Sequence, residues 1–145
     1  MVSALQNLKD WAPLPARLAL GAIFIAHGSQ KLFGAFGGHG FAGTQQMMGQ
    51  MGLQPAPLWA VLLVVAEFFG GLGVLFGLLT RLSAVGIAIV MIVAMATVHG
   101  KHGFFLDKGG FEYNLALVGL AISLLFSGAG KFSIESLWSK PQQPA

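Results

Sequence analysis

Four long stretches almost free of charge govern what this chain can fold into. They extend from Pro13 to Phe33, from Pro57 to Leu79, from Leu82 to Val98 and from Glu112 to Phe126, the last reaching towards Phe111 and Ser127. A helix crosses the hydrocarbon of a bilayer with about 20 mainly apolar residues, the range being about 17–25. The first two stretches meet that length easily. The third and fourth lie at its short end, which local thinning of the bilayer accommodates. Only 9% of the chain is charged, where a soluble domain carries about 25%. The runs therefore lack the polar face a helix shows to water. The sequence predicts an all-α fold: a polytopic membrane four-helix bundle, a single transmembrane domain over residues 1–145, surrounded by lipid. With Lys9 and Arg17 ahead of it, the first run resembles a signal peptide, yet it is too long for one and Ala26-His27-Gly28 is a poor cleavage site. It is read as a retained helix.

The connections set the topology. Thr80-Arg81 alone separates the second and third runs, so these form a tight antiparallel hairpin. His99 to Phe111 joins the third and fourth, and Gly34 to Ala56 joins the first and second. Within that longer link, Phe41, Met47, Met48 and Met51 fit one face of a short interfacial helix as well as they fit a plain glycine-rich loop. Four spans leave both termini on one side. Lys9, Arg17, Arg81, Lys131 and Lys140 fall on that side, and Lys31, Lys101 and Lys108 on the other. Positive charge favours the cytoplasmic face, so both termini are expected in the cytoplasm, with the protein in the cell membrane.

Several function classes drop out. The net charge of +3 comes from scattered lysines and arginines, with no basic stripe for nucleic acid. Absence of cysteine removes disulfides, thiolate iron–sulfur clusters and dithiol chemistry from this chain. Any electrons it handles come from elsewhere.

Ionisable residues inside apolar spans are the informative exceptions, because each is costly there unless paired or hydrated. Glu67 sits about ten residues into the second run, roughly 15 Å below the surface at a rise of 1.5 Å per residue. His27 and Lys31, four apart, share a helix face near the non-terminal end of the first run. His99 closes the third run at that level, and Glu112, Tyr113 and Asn114 open the fourth. The sequence thus predicts that His27, Lys31, Glu67, His99, Glu112 and Tyr113 converge in a proton-exchanging pocket in the outer half of the bundle. The competing reading is a salt-bridge network, Lys31 with Glu112 or Glu67, that only fixes helix register. His27 and His99 at similar depth also raise a bis-histidine haem b, which paired membrane histidines do not by themselves establish. Gly70, Gly71, Gly73 and Gly77 form a small-residue stripe read first as packing inside the bundle and second as a homo-oligomer contact. Arg17 and Arg81 read as headgroup anchors, or as caps on helix carbonyls.

The run Arg17-Leu-Ala-Leu-Gly21-Ala-Ile-Phe24-Ile-Ala-His27-Gly28-Ser-Gln-Lys31-Leu32-Phe33 resembles the first helix of the DoxX family. So do Glu67-Phe-Phe-Gly70-Gly71 and Gly77-Leu-Leu-Thr80-Arg81, and the closing stretch from His99 through Gly110-Phe-Glu112-Tyr113 to Gly128-Ala-Gly130-Lys-Phe-Ser133. The similarity runs from about Pro13 to Ser136. It implies a small four-helix membrane protein linked to quinone-dependent redox and sulfur chemistry, with His27, Lys31, Glu67, Glu112 and Tyr113 at the family's characteristic positions. The resulting expectation is a membrane subunit of a quinone-linked redox system, served by a redox partner protein or a soluble donor. Glu67, His27 and Tyr113 would face the quinone headgroup, His99 would border it, and Lys31 and Glu112 would tune the charge. Two other classes compete: a proton-coupled small-molecule transporter using Glu67, and a non-catalytic scaffold for partner redox enzymes.

Overall fold

The computed structural model describes residues 8–138; Lys140, counted above among the terminal charges, lies outside them. Every regular element among these residues is helical. Helix α1 spans Pro13–Phe33, α2 Gly40–Gln50, α3 Ala56–Phe76, α4 Thr80–His102, α5 Glu112–Ser127 and α6 Ile134–Trp138. Proline opens α1 within its first turn, where the missing N–H costs nothing. Gly34, left-handed at φ 73°, closes it by returning its N–H to Ser29 O.

The four longest helices close a ring: α1 against α3, α3 against α4, α4 against α5, and α5 back against α1. Leu20, Phe24, Val74, Ile87, Met91, Leu117, Ala121 and Leu124 fill the middle. The outside is equally apolar. Helices α3 and α4 are long and apolar enough to cross a membrane, and only 11% of the α4 window is buried within the protein. Leu82, Val85, Ile89, Ile92 and Val93 therefore face outward, a continuous apolar surface that lipid covers and water does not.

The α3–α4 reversal differs from the expected Thr80-Arg81 turn. Gly77 (φ 66°) and Leu79 (φ 50°) are the left-handed residues that turn the chain, while Thr80 and Arg81 already belong to α4. Hydropathy extends the second run to Leu79, but the backbone breaks at Gly77. The short helix in the first link does form, as α2, yet Phe41, Met47, Met48 and Met51, the last capping its end, do not share one face. Thr44 and Met48 are buried while Met47 and Met51 are over a third exposed.

Glycine sets the closeness of α1 and α3. A Cβ on Gly28 would lie 2.5 Å from the backbone of Phe68, and one on Gly71 would lie 2.7 Å from Ile25 N. Only glycine lets the two backbones approach this far. The Gly73/Gly77 register packs within the chain: Gly73 abuts Ser83, and Gly77 abuts Ser133 and the Arg17 guanidinium.

Both described ends of the chain meet at one end of the ring. Lys131 N donates to Asp10 O at 2.8 Å, the two side chains pair at 2.9 Å, and the Trp11 and Phe132 rings meet at a tilt, 4.5 Å between centroids.

Candidate functional site

At the opposite end of the ring lies a buried ion pair. Lys31, in the last turn of α1, places Nζ 2.6 Å from Oε2 of Glu67. The Glu67 side chain is 5% exposed and that of Lys31 22%, so the lysine is the way into the pair from outside. Position along the helix favours the arrangement, since a cation in a helix's final turn meets the negative end of its dipole. Glu67 sits in the middle of Val65–Phe69, where α3 loosens into π-helical geometry. Such turns are rare and occur disproportionately at functional positions. Around the pair, the Thr44 hydroxyl lies 3.1 Å from Lys31 O and 2.9 Å from Gly40 O, tying α2 to the end of α1. A cleft of about 200 Å³ opens beside Lys31, lined by Gln30, His39, Thr44 and Met47 among others.

Among the described residues no other member of the expected cluster bonds to the pair. Glu112 does not reach Lys31; its Oε1 accepts the Leu106 N–H at 2.7 Å. His99 ends a second π-helical turn, Met95–His99, and its Nδ1 lies 2.8 Å from Gly109 O. Together they brace the loop between α4 and α5, which also carries Phe111 N to Gly103 O and Glu112 N to Phe104 O. His27 is exposed one turn before Lys31 on α1, and Tyr113 is 39% exposed. Asn114, next to them in sequence, is buried and donates to Met91 Sδ at 3.4 Å. Of the six expected residues, Lys31 and Glu67 form the ion pair, His99 and Glu112 brace the loop, and His27 and Tyr113 are exposed. Sequence order places residues at one depth but does not tell which way each side chain turns. Among the described residues no group of three or more His, Asp and Glu side chains could hold a metal ion.

The most heavily bonded side chain is one read first as a headgroup anchor. Arg17 is 1% exposed. Its Nε donates to Val74 O at 2.9 Å, its Nη2 to Leu75 O at 2.8 Å, and its Nη1 to Ala129 O at 2.8 Å and Phe132 O at 3.1 Å, with Lys131 O at 3.4 Å. The carbonyl-cap alternative describes it. Helix α3 ends with unpaired carbonyls, and a guanidinium fork is the one side chain able to serve that many acceptors at once. The signal available in sequence was an arginine one turn into an apolar run, facing a glycine-ended helix.

An all-helical fold among the described residues, with a bilayer-compatible exterior and a buried ion pair, is that of an α-helical membrane protein. Residues 12–100 match the DoxX family, and the chain belongs to it. That match includes Arg17, His27, Lys31, Glu67 and His99 but stops short of Glu112 and Tyr113. The chain is 34% identical to the inner membrane protein YqjF of Escherichia coli over 136 residues, covering 94% of this chain and 98% of that one. It is also 34% identical to the putative oxidoreductase CatD of Bacillus subtilis over 108 residues, 74% of each chain. No solved structure matches.

Proposed function

We propose that this DoxX-family protein is the membrane subunit of a quinone-linked redox system, with the Lys31–Glu67 pair as its proton-exchanging site. In this reading α1, α3, α4 and α5 all span the cell membrane, and both chain ends face the cytoplasm. The carrying observation is the pair itself: a carboxylate and an ammonium 2.6 Å apart, otherwise wrapped in apolar helices, with the lysine reachable from a cleft. A quinone headgroup presents two carbonyl oxygens that need hydrogen-bond donors, and its reduction consumes protons. The Lys31 ammonium supplies the donor and Glu67 a carboxyl that can pass a proton.

The residues fit such a headgroup in size as well as in chemistry. Drug-sized pockets run about 300–1,000 Å³, so the cleft of about 200 Å³ takes one ring and leaves an isoprenoid tail in lipid. His27, exposed one turn away, is a second donor at the lipid boundary. Tyr113 and the loop braced by His99 and Glu112 border the same end less directly. In this reading electrons come from a redox partner or soluble donor, since without cysteine the chain has no thiolate cluster or dithiol of its own. The name of the Bacillus subtilis relative, a putative oxidoreductase, supports the redox class. A transporter needs a polar path to the far face as well, and there the Arg17 guanidinium is spent on backbone carbonyls.

The test is a quinone titration of purified protein, wild type against Glu67→Gln and Lys31→Met. Saturable binding weakened at least about tenfold by either change supports the reading. Equal binding in all three proteins removes it.

A further inference from the structure

At the end opposite the ion pair, an open groove of about 760 Å³ runs between the start of α4 and the segment after α5. It is distinct from the proposed quinone site and shares its Ala129–Lys131 wall with the Arg17 cap. Its lip is apolar, formed by Leu79 and Leu82, which are 61% and 67% exposed. Its charged lining is Arg81, Lys131, Asp10 and Glu135. Asp10 is taken by Lys131 at 2.9 Å, and Glu135 Oε1 accepts the Thr80 N–H at 2.6 Å. Arg81 has no hydrogen bond or ion pair among the described residues. Its guanidinium lies against Gly128, where a Cβ would stand 3.6 Å from both Nε and Nη2.

The backbone opposite Arg81 is turned to match. Arg17 draws the Ala129 carbonyl inward at 2.8 Å. In a planar trans peptide the following N–H points the opposite way, so the Gly130 N–H is directed away from Arg17, and Gly130 lines the groove. Neither the Ala129 nor the Gly130 N–H has an acceptor among the described residues. One side of the groove thus offers an unused guanidinium fork and the other an unused amide, both donors.

From this juxtaposition we infer that the groove binds the phosphate of an acidic phospholipid, with Arg81 as the charged ligand and the Gly130 amide as the second donor. Guanidinium suits phosphate because its donors meet two oxygens at once. The lipid source follows from the lip. From Leu82 the exposed residues Val85, Ile89, Ile92 and Val93 continue along α4, a track for an acyl chain below the headgroup. Trp11 and Trp138, both exposed at this end, suit the headgroup level, where tryptophan is enriched.

The experiment is native mass spectrometry of the full chain released from micelles containing phosphatidylglycerol or phosphatidylcholine of identical acyl chains. Wild type is expected to retain phosphatidylglycerol at least about fivefold over phosphatidylcholine, Arg81→Gln to lose the preference, and Lys101→Gln, an exposed charge at the far end of α4, to keep it. Because Arg81 makes no internal bond, its replacement leaves the fold intact. The inference is overturned by no preference in wild type, by equal losses in Arg81→Gln and Lys101→Gln, or by glycerol 3-phosphate displacing the lipid at equal concentration.

Discussion

Replacing Arg17 with methionine keeps most of the side-chain volume and removes the donors. Four of its bonds, at 2.8, 2.8, 2.9 and 3.1 Å, are well formed, and the fifth, at 3.4 Å, is marginal. Hydrogen bonds to charged groups net about 1.5–3 kcal/mol each, so simple addition gives about 6–12 kcal/mol. That sum overstates the effect, because burying the guanidinium has already cost several kcal/mol. It would also equal the whole stability of a typical domain, about 5–15 kcal/mol. The expected loss for Arg17→Met is therefore about 3–5 kcal/mol, as for removing one partner of a buried charged network. Arg17→Lys should recover only part of it, since an ammonium has three donors and no planar fork. Reversible unfolding in mixed micelles gives the total. Hydrogen exchange locates it, with protection falling first at the Lys131, Glu135 and Ser136 amides, in the segment that Arg17 holds through the Ala129, Lys131 and Phe132 carbonyls. A loss below about 1 kcal/mol, or one with no change in exchange there, would refute the reasoning.

Lys31→Met and Glu67→Met should each destabilise, and the double variant should recover much of the loss, giving a coupling of about 2 kcal/mol or more in a double-mutant cycle; additive losses would mean that the pair is not coupled. Gly28→Ala puts a methyl 2.5 Å from the Phe68 backbone and should cost about 1–3 kcal/mol by overpacking, read from the unfolding midpoint. By contrast, a Cβ on Gly119 meets nothing within 4 Å, so Gly119→Ala should be neutral or gain up to about 1 kcal/mol in the same assay. Glu112→Ala should speed exchange of the Leu106 amide while leaving global unfolding almost unchanged; a global loss above about 2 kcal/mol would contradict its role as a loop brace.

Glu67 and Lys31 were legible because a lone carboxylate in an apolar run must find a cation or water, and helix order brings few cations within reach. Their neighbours were not. Glu112 opens α5 at the expected level, yet it is close enough to the preceding loop to take the Leu106 amide, a local partner that needs no distant cation. His99 is held in the same way by Gly109 O. Met48 and Met47 are adjacent and chemically identical, and only the packing of α2 on α1 and α3 decides which is buried. Arg17 misled for the opposite reason. An arginine near a helix end ordinarily reaches for the headgroups, and its burial depends on carbonyls 57 to 115 residues away in the chain.

The sequence alone determined the solvent and the building blocks: with 9% charge and four long apolar runs, the chain has to form helices and lay them in lipid. Backbone groups can be satisfied there only within each helix, so no knowledge of the partners is required. The tertiary structure alone decided which polar groups meet. That outcome depends on the rotation of each helix about its axis, fixed by backbone contact at Gly28 and Gly71 and by the Arg17 cap joining α1, α3 and the segment after α5. Those are contacts between distant parts of the chain, and local composition does not encode them.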